Sequence, residues 1–418
     1  MAIKPGYKQT EVGVIPADWE VKSLGELGSI VRGGSPRPAG DSRYFGGSFI
    51  PWLTVASMTN IAEHQLKVTE TVGFLTEEGS KRSRTLVRGT LIIANSGATL
   101  GVAKILGMDC CANDGIAALV NQRTGDKGYV SHYINTCTKH LREVVATGNG
   151  QPNLNTALIR EISIPFPPLP EQHAIATALS DVDALLGALE RLLAKKRDLK
   201  QAAMQQLLTG QTRLPGFHGD WAVKTFGDLI NNCFSGATPR RDQPDFYKGD
   251  IRWITSGELN YNVINDTVEK ITSEAVARTN LKVIPKGTFL MAITGLEAAG
   301  TRGSCGIVGE PSTTNQSCMA VFPTSELMAE YLFHYYVFRG DALALQYCQG
   351  TKQQSYTAKL VRKLPIDIPP TTAEQTAIAK VLSDMDAELA SLEQRLTKTR
   401  ILKQGMMQEL LTGRTRLL

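Results

Sequence analysis

The 418-residue sequence has seven cysteines, an odd number, and none of them stands in a C-x-x-C spacing. A fully paired disulfide framework is therefore excluded, and a structural zinc site is not expected. Six histidines are scattered without an H-E-x-x-H pattern, so no metal is expected either. No run approaches 18 apolar residues, so a membrane-spanning helix is not expected. The amino terminus, MAIKPGYKQTEVG, lacks the apolar core of a secretion signal, and a cytoplasmic location is expected. Aromatics are sparse at 6%, and 45 basic against 40 acidic residues leave a net charge of +5. That modest basic excess suits a polyanionic partner without requiring one.

Catalytic patterns are also lacking. Gly295-Leu-Glu-Ala-Ala-Gly300-Thr-Arg lacks the lysine of a phosphate-binding loop, and the glycines at 300, 303, 306 and 309 suit a strand-turn array better than a dinucleotide fingerprint. Pro244-Asp245 followed by Glu269-Lys270 faintly resembles a magnesium-dependent nuclease set. No residue separates the Glu from the Lys, however, so a turn and a solvated strand end explain them better. An Asn/Asp-Pro-Pro-aromatic loop, as an amino-methyltransferase would need, is absent, and so is Gly-x-Ser-x-Gly.

What is present is a duplication. Residues 171–214 recur at 374–417 with a constant offset of 203, and 28 of the 44 positions are identical. Each copy follows a Pro-rich run and ends at Leu-Thr-Gly (Gly210, Gly413), a pattern that brackets a helix. Apolar residues fall at Ile175, Leu179, Val182, Leu186, Leu189 and Leu193, and again at Ile378, Leu382, Met385, Leu389, Leu392 and Leu396. This 4-3-4-3-4 spacing is a coiled-coil seam. About 38 helical residues at ~1.5 Å each predict a rod of roughly 57 Å, which must bury its stripe, most economically on the other copy. The rod tails are basic: Arg191, Lys195, Lys196, Arg197, Lys200 and Arg213, then Arg395, Lys398, Arg400, Lys403, Arg414 and Arg416. A solvated face explains these as well as a phosphate or acidic-partner contact.

The remaining chain reads as two mixed α/β globules built of short strands between Gly, Pro, Asn and Ser clusters. FIPWLTV at 49–55 and TLIIA at 90–94 predict strands, residues 69–82 a turn into a short helix, and residues 130–145 a helix. Landmarks recur loosely between the globules: Asp18-Trp19 with Asp220-Trp221, Ser35-Pro36-Arg37 with Thr238-Pro239-Arg240, Trp52 with Trp253, Gly89-Thr90 with Gly287-Thr288, Asn113 with Asn315, and Gln151 with Gln353. The expected organisation is therefore globule (1–168), rod (169–214), globule (215–370), rod (371–418). The two rods would form an antiparallel coiled coil with pseudo-twofold symmetry, spacing the globules apart.

Base edges are read by Arg, Asn and Gln, and phosphates by Lys, Arg, Ser and Thr. In the first globule those types stand at Ser35, Arg37, Arg43, Asn95, Ser96, Thr99, Lys104, Asn149, Gln151 and Asn153. In the second they stand at Thr238, Arg240, Arg241, Thr294, Arg302, Asn315, Gln316, Lys352, Gln353 and Gln354. As sets they point to DNA contact, although any one of them alone is an ordinary turn residue.

The whole chain resembles the specificity (S) subunits of type I restriction-modification enzymes. The resemblance rests on Val-Ile-Pro-Ala-Asp-Trp-Glu-Val (14–21) and its echo at 217–223, and on the Pro-Pro-Leu-Pro-Glu-Gln-His-Ala-Ile-Ala lead into the first rod. It rests also on Leu-Ser-Asp-x-Asp at 179–183 and 382–386, and on Leu-Leu-Thr-Gly-x-Thr-Arg-Leu at 207–214 and 410–417. It implies two target recognition domains, each reading half of a bipartite DNA site. The rods would set the gap and dock two methyltransferase subunits, with two restriction subunits completing the enzyme. S-adenosylmethionine, ATP and Mg2+ would reside on those partners, and this chain would carry no catalytic residue. A non-catalytic coiled-coil adaptor for proteins is the alternative.

Overall fold

The structure, a computed structural model, describes residues 4–97, 99–146, 152–297, 300–348 and 354–417. The chain folds into two compact units, Met1–Leu192 with Leu392–Leu418, and Leu193–Ser391. Each unit therefore takes one globule, the start of one rod and the end of the other.

In the first unit a five-stranded sheet runs in the order Ser29–Arg32, Ile116–Val120, Leu91–Ala94, Ala103–Leu106, Lys67–Val68. Only the last pairing is parallel. Its central strand, Leu-Ile-Ile-Ala, is buried on both faces, which is why it is apolar throughout instead of alternating. A four-stranded sheet (Gly73–Leu75, Phe45–Leu53, Cys110–Ala112, Arg84–Leu86) joins it. The expected helix over 130–145 is broken into Lys127–Thr136, Thr138–His140 and a π-helical turn at Leu141–Val145. There the hydroxyls of Thr136 and Thr138 donate to the carbonyls of Tyr133 and Asn135, competing with the regular ladder.

The second unit repeats the plan. Its five-stranded sheet runs Ile230–Ser235, Cys318–Pro323, Phe289–Ala292, Cys305–Val308, Asn262–Ile264, again with only the last pair parallel. The smaller sheet has three strands, Lys270–Ile271, Ile251–Ile254 and Thr313–Thr314. The helix Ala329–Tyr347 packs on the large sheet.

The rods are Leu169–Leu207 and Thr372–Leu410, 39 residues each. Pro170 sits in the first turn, where a missing N–H costs nothing. Gly210 and Gly413 follow the ends with φ of 69° and 68°, the left-handed geometry of a helix stop. Ion pairs within each unit run antiparallel. In the first, Glu190 meets Arg400, Asp183 meets Lys403 and Glu171 meets Arg416. In the second, Glu388 meets Lys196, Asp386 meets Lys200 and Glu374 meets Arg213. Many basic residues of the rod tails are thus spent on carboxylates of the other rod, a third use that neither sequence explanation had offered.

The seam residues Ile175, Leu179, Leu186, Leu189, Leu193, Ile378, Leu382 and Leu396 are buried, and Val182, Met385, Leu389 and Leu392 are partly so. The first two positions of each stripe are not purely rod-to-rod. Ile175 and Leu179 belong to the core of the first globule, and Ile378 and Leu382 to that of the second. Each rod begins embedded in the globule that precedes it.

Two buried dipeptides anchor the rod starts. Glu171-Gln172 and Glu374-Gln375 are all at most 2% exposed. Gln172 accepts from Asp126 N–H at 2.8 Å and donates to Pro167 C=O at 2.7 Å. Gln375 accepts from Met328 N–H at 2.8 Å and donates to Glu326 C=O at 2.9 Å. Glu171 accepts from Trp19 Nε1 at 3.1 Å and from both arms of the Arg416 fork, at 2.5 and 2.7 Å. Arg416 also grips Asp18, and these carboxylates push its guanidinium pKa up. Glu374 takes the Arg213 fork at 2.6 and 2.7 Å.

A buried histidine lies beside each rod. Burial, then neighbouring Lys403, holds His132 down to about 4. Burial holds His334 down to about 4 as well, with Ser383 Oγ 2.9 Å from its Nε2. A histidine depressed from 6.5 binds its proton more readily when unfolded, so its stabilising contribution is complete above pH 6.5 and lost as pH falls toward 4. A shift of that size corresponds to about 3 kcal/mol per histidine at full protonation. Urea unfolding at pH 7 and pH 4.5 should show this loss, and it should be smaller in His132→Gln and His334→Gln variants.

Candidate nucleic-acid interface

The loop after the strand Cys110–Ala112 gathers the first globule's candidates. Ser35 Oγ donates to Asp114 Oδ1 at 2.7 Å, and Arg37 lies 3.5 Å from Asp114 Oδ2. Arg32 Nε and Asn95 Nδ2 donate to the Asp114 carbonyl at 2.6 and 3.2 Å. Arg84 Nε in turn donates to the Arg32 carbonyl at 2.7 Å. Anchoring through Nε fixes each guanidinium plane. Neither Arg32 nor Arg84 forms an ion pair among the described residues, and both are exposed. They border a groove of about 410 Å³ lined also by Gly33, Gly34, Ser83 and Thr85. Such a rim of aimed, uncompensated cations suits phosphate or base-edge contact.

The second globule places its counterparts at the matching loop. Thr238 Oγ donates to Gln316 Oε1. Arg240 is turned back onto Asp242, and Arg241 forks onto Glu269 at 2.5 and 2.9 Å while stacking over Tyr247 and Trp253. The groove here is smaller, about 140 Å³, and carries Lys282 with Phe234, Asn280 and Thr314. Gly33 and Gly236 sit where a Cβ would strike the backbone of Asn113 and Thr314 respectively, so only glycine allows the close approach that forms each groove.

Other predicted residues are placed differently. Lys104 is 2% exposed, and its ammonium donates to the carbonyls of Ala62, Glu63 and Gln65 at 3.3, 3.1 and 2.6 Å. Burial pulls its pKa down to about 8. It is a structural cation, out of reach of a phosphate in this arrangement. Asn95 is 1% exposed and acts from beneath, through Asp114. Arg302 is mostly covered and paired with Asp341 at 2.9 Å, and Arg43 forks onto Asp41. The Thr99 hydroxyl lies 3.4 Å from that of Thr59. Asn153 bridges Ser96, and Thr294 bridges Ser355 in the corresponding place. Asn315 Oδ1 caps Ser317 N–H at 3.0 Å, and Gln354 N–H donates to Glu297 at 3.1 Å. Gln151, Lys352 and Gln353, with Asn149, lie outside the described residues. The nuclease-like residues do not gather: Asp245 pairs with Lys248, and Glu269 with Arg241.

Sequence reasoning missed Asp114, Arg32 and Arg84. The signal available was position: Asp114 directly follows the asparagine that matches Asn315.

Mixed globules duplicated on paired helical rods, each with a polar loop beside a groove, define a two-domain internally repeated protein. The chain belongs to the family of the type I restriction modification DNA specificity domain, which matches twice, at residues 16–198 and 218–399. It is 25% identical over 259 residues to the type I restriction enzyme MjaIX specificity subunit of Methanocaldococcus jannaschii, a match spanning 56% of this chain and 57% of that protein. It is 20% identical over 420 residues to the MjaVIII specificity subunit of the same organism, covering 96% and 94%. The fold is shared with a type I restriction-modification S subunit from M. genitalium, with a TM-score of 0.62, 14% identity and coverage of 98% and 99%.

Lys104→Met should lower stability by about 1–3 kcal/mol, because it removes the donor shared by the carbonyls of Ala62, Glu63 and Gln65, of which only Ala62 keeps a second donor, the Gln65 N–H. Thermal melting would register the loss, and DNA affinity of the folded protein should stay within twofold of wild type.

Proposed function

We propose that this chain is the DNA-reading subunit of a type I restriction-modification enzyme. Each globule reads one half of a bipartite duplex site, and the antiparallel rods hold the halves at a set spacing. The observation that carries this reading is the doubled specificity domain, with one recognition loop repeated in both copies and different side chains on each. A loop that is kept while its reading groups change is what two unlike half-sites require. Two readers gain specificity together only when both engage at a fixed separation. Half-sites on one face of B-DNA lie about 34 Å apart per helical turn, within the span of a 39-residue helix at ~1.5 Å per residue.

The chain itself carries no catalytic role in this reading. Two methyltransferase subunits that hold S-adenosylmethionine dock on the rods, and two restriction subunits that use ATP and Mg2+ complete the assembly. DNA affinity should fall with salt by roughly 0.9 log units per decade for every phosphate neutralised. A flat salt response without sequence preference would favour a protein adaptor instead. The direct test replaces residues 1–168 by the first module of another specificity subunit and maps methylated sites genome-wide. One half of the recognised site should change. A change in both halves would show that the modules are not independent readers.

A further inference from the structure

The two globules share a loop frame that can be superposed bond by bond. Asn113 N–H donates to Leu53 C=O at 2.9 Å, and Asn315 N–H donates to Ile254 C=O at 2.9 Å. Asn113 Oδ1 accepts from Gly115 N–H at 3.2 Å, and Asn315 Oδ1 from Ser317 N–H at 3.0 Å. The carbonyls of Gly115 and Ser317 accept from Asn95 and Ile293 at 3.0 and 2.9 Å. Leu154 N–H closes onto Asn95 C=O at 2.8 Å, as Tyr356 N–H does onto Ile293 C=O at 2.9 Å. Between the two capping residues stands a single position, Asp114 in the first globule and Gln316 in the second. Each is gripped by the hydroxyl that opens a Ser/Thr-Pro-Arg run, Ser35 on Asp114 and Thr238 on Gln316.

The frame is the same and the side chain is not. Asp114 has a side chain 42% exposed, and Gln316 is exposed. Ser35 occupies one carboxylate oxygen of Asp114 and leaves Oδ2 open at the loop surface, with Arg37 beside it. That oxygen can only accept. Thr238 occupies the carbonyl oxygen of Gln316 and leaves its amide NH2, which can only donate. Major-groove edges carry groups of both kinds: cytosine N4 and adenine N6 donate, whereas the purine N7 atoms, guanine O6 and thymine O4 accept. Arg37, Arg32 and Arg84 around Asp114 supply the positive charge that a carboxylate needs near phosphates. Gln316 is neutral and needs no such escort, and Arg240 is correspondingly turned away onto Asp242.

We infer that Asp114 and Gln316 are the equivalent specificity-determining residues of the two globules, Asp114 selecting a base that offers an amino group and Gln316 one that offers an acceptor. The inference rests on the DNA-reading function proposed above and names the residues within it.

The test is selection from a randomised duplex library by the full chain bound to its own methyltransferase subunits, with Asp114→Asn and Gln316→Glu compared to wild type. Each substitution keeps shape and exchanges acceptor for donor, or the reverse. Asp114→Asn should shift base preference about tenfold at one position of one half-site, and Gln316→Glu should do the same in the other half-site. All other positions should be unchanged. If wild type selects a bipartite site and the Gln316→Glu preferences are identical to it, the inference is overturned. The same holds if both variants weaken all sequences equally. If wild type itself selects no sequence, the DNA-reading function fails first, and the inference with it. Gln316 is exposed, so the result with Gln316→Glu stands even if Asp114→Asn lowers the melting temperature.

Discussion

The arrangement depends on a buried carboxylate at the start of each rod that is neutralised by an arginine from the end of the other. Glu171 and Glu374 are nearly inaccessible to water, and a lone carboxylate there would be costly to hold charged. Arg416 and Arg213 meet them with two-pronged geometry, which supplies both charge and direction. Leaving such a carboxylate without its partner costs on the order of 3–5 kcal/mol. A shifted or parallel register would strand both acids, so the lock specifies register more than it adds stability. The neighbouring glutamines, Gln172 and Gln375, then tie the same helical turn to the backbone of the preceding globule.

Further along, the same economy recurs. Asp183 with Lys403 and Asp386 with Lys200 sit at matching places in the two copies, each beside a buried, neutral histidine. The first copy adds Lys104 and the second has Gly306 at the corresponding strand position. The rods are thus held nearly constant where they meet the globules, while the globules diverge around them. The residues that fix register are separate from the loop residues that differ between the two globules.

The loops at Asn113 and Asn315 follow the same principle on a smaller scale. The backbone bonds of Asn113 and Asn315 and the close-packed glycines Gly33 and Gly236 are shared, and they hold the loop rigidly against the sheet. Rigid support lets a single exchanged side chain alter hydrogen-bond polarity without moving its neighbours. Arg32 and Arg84, which border the first globule's groove, are pinned through Nε, so their forks are oriented in advance.

The duplication, the length of the rods, the heptad stripe and the mixed character of the globules were legible in the residues alone, because period and identity survive in one dimension. The pairing of Asn113 with Asn315 and of Ser35 with Thr238 was legible for the same reason. Register and charge partnership were not. Nothing in the spacing of Lys403 or Arg416 distinguishes a solvated cation from one that meets Asp183 or Glu171 across another helix. Nor does local sequence tell that Lys104 is spent on three carbonyls, or that Asp114 is the point where Ser35, Arg37, Arg32 and Asn95 converge. Those assignments depend on which distant segments the packed sheets bring within 3.5 Å, a proximity that only burial of the hydrophobic cores sets.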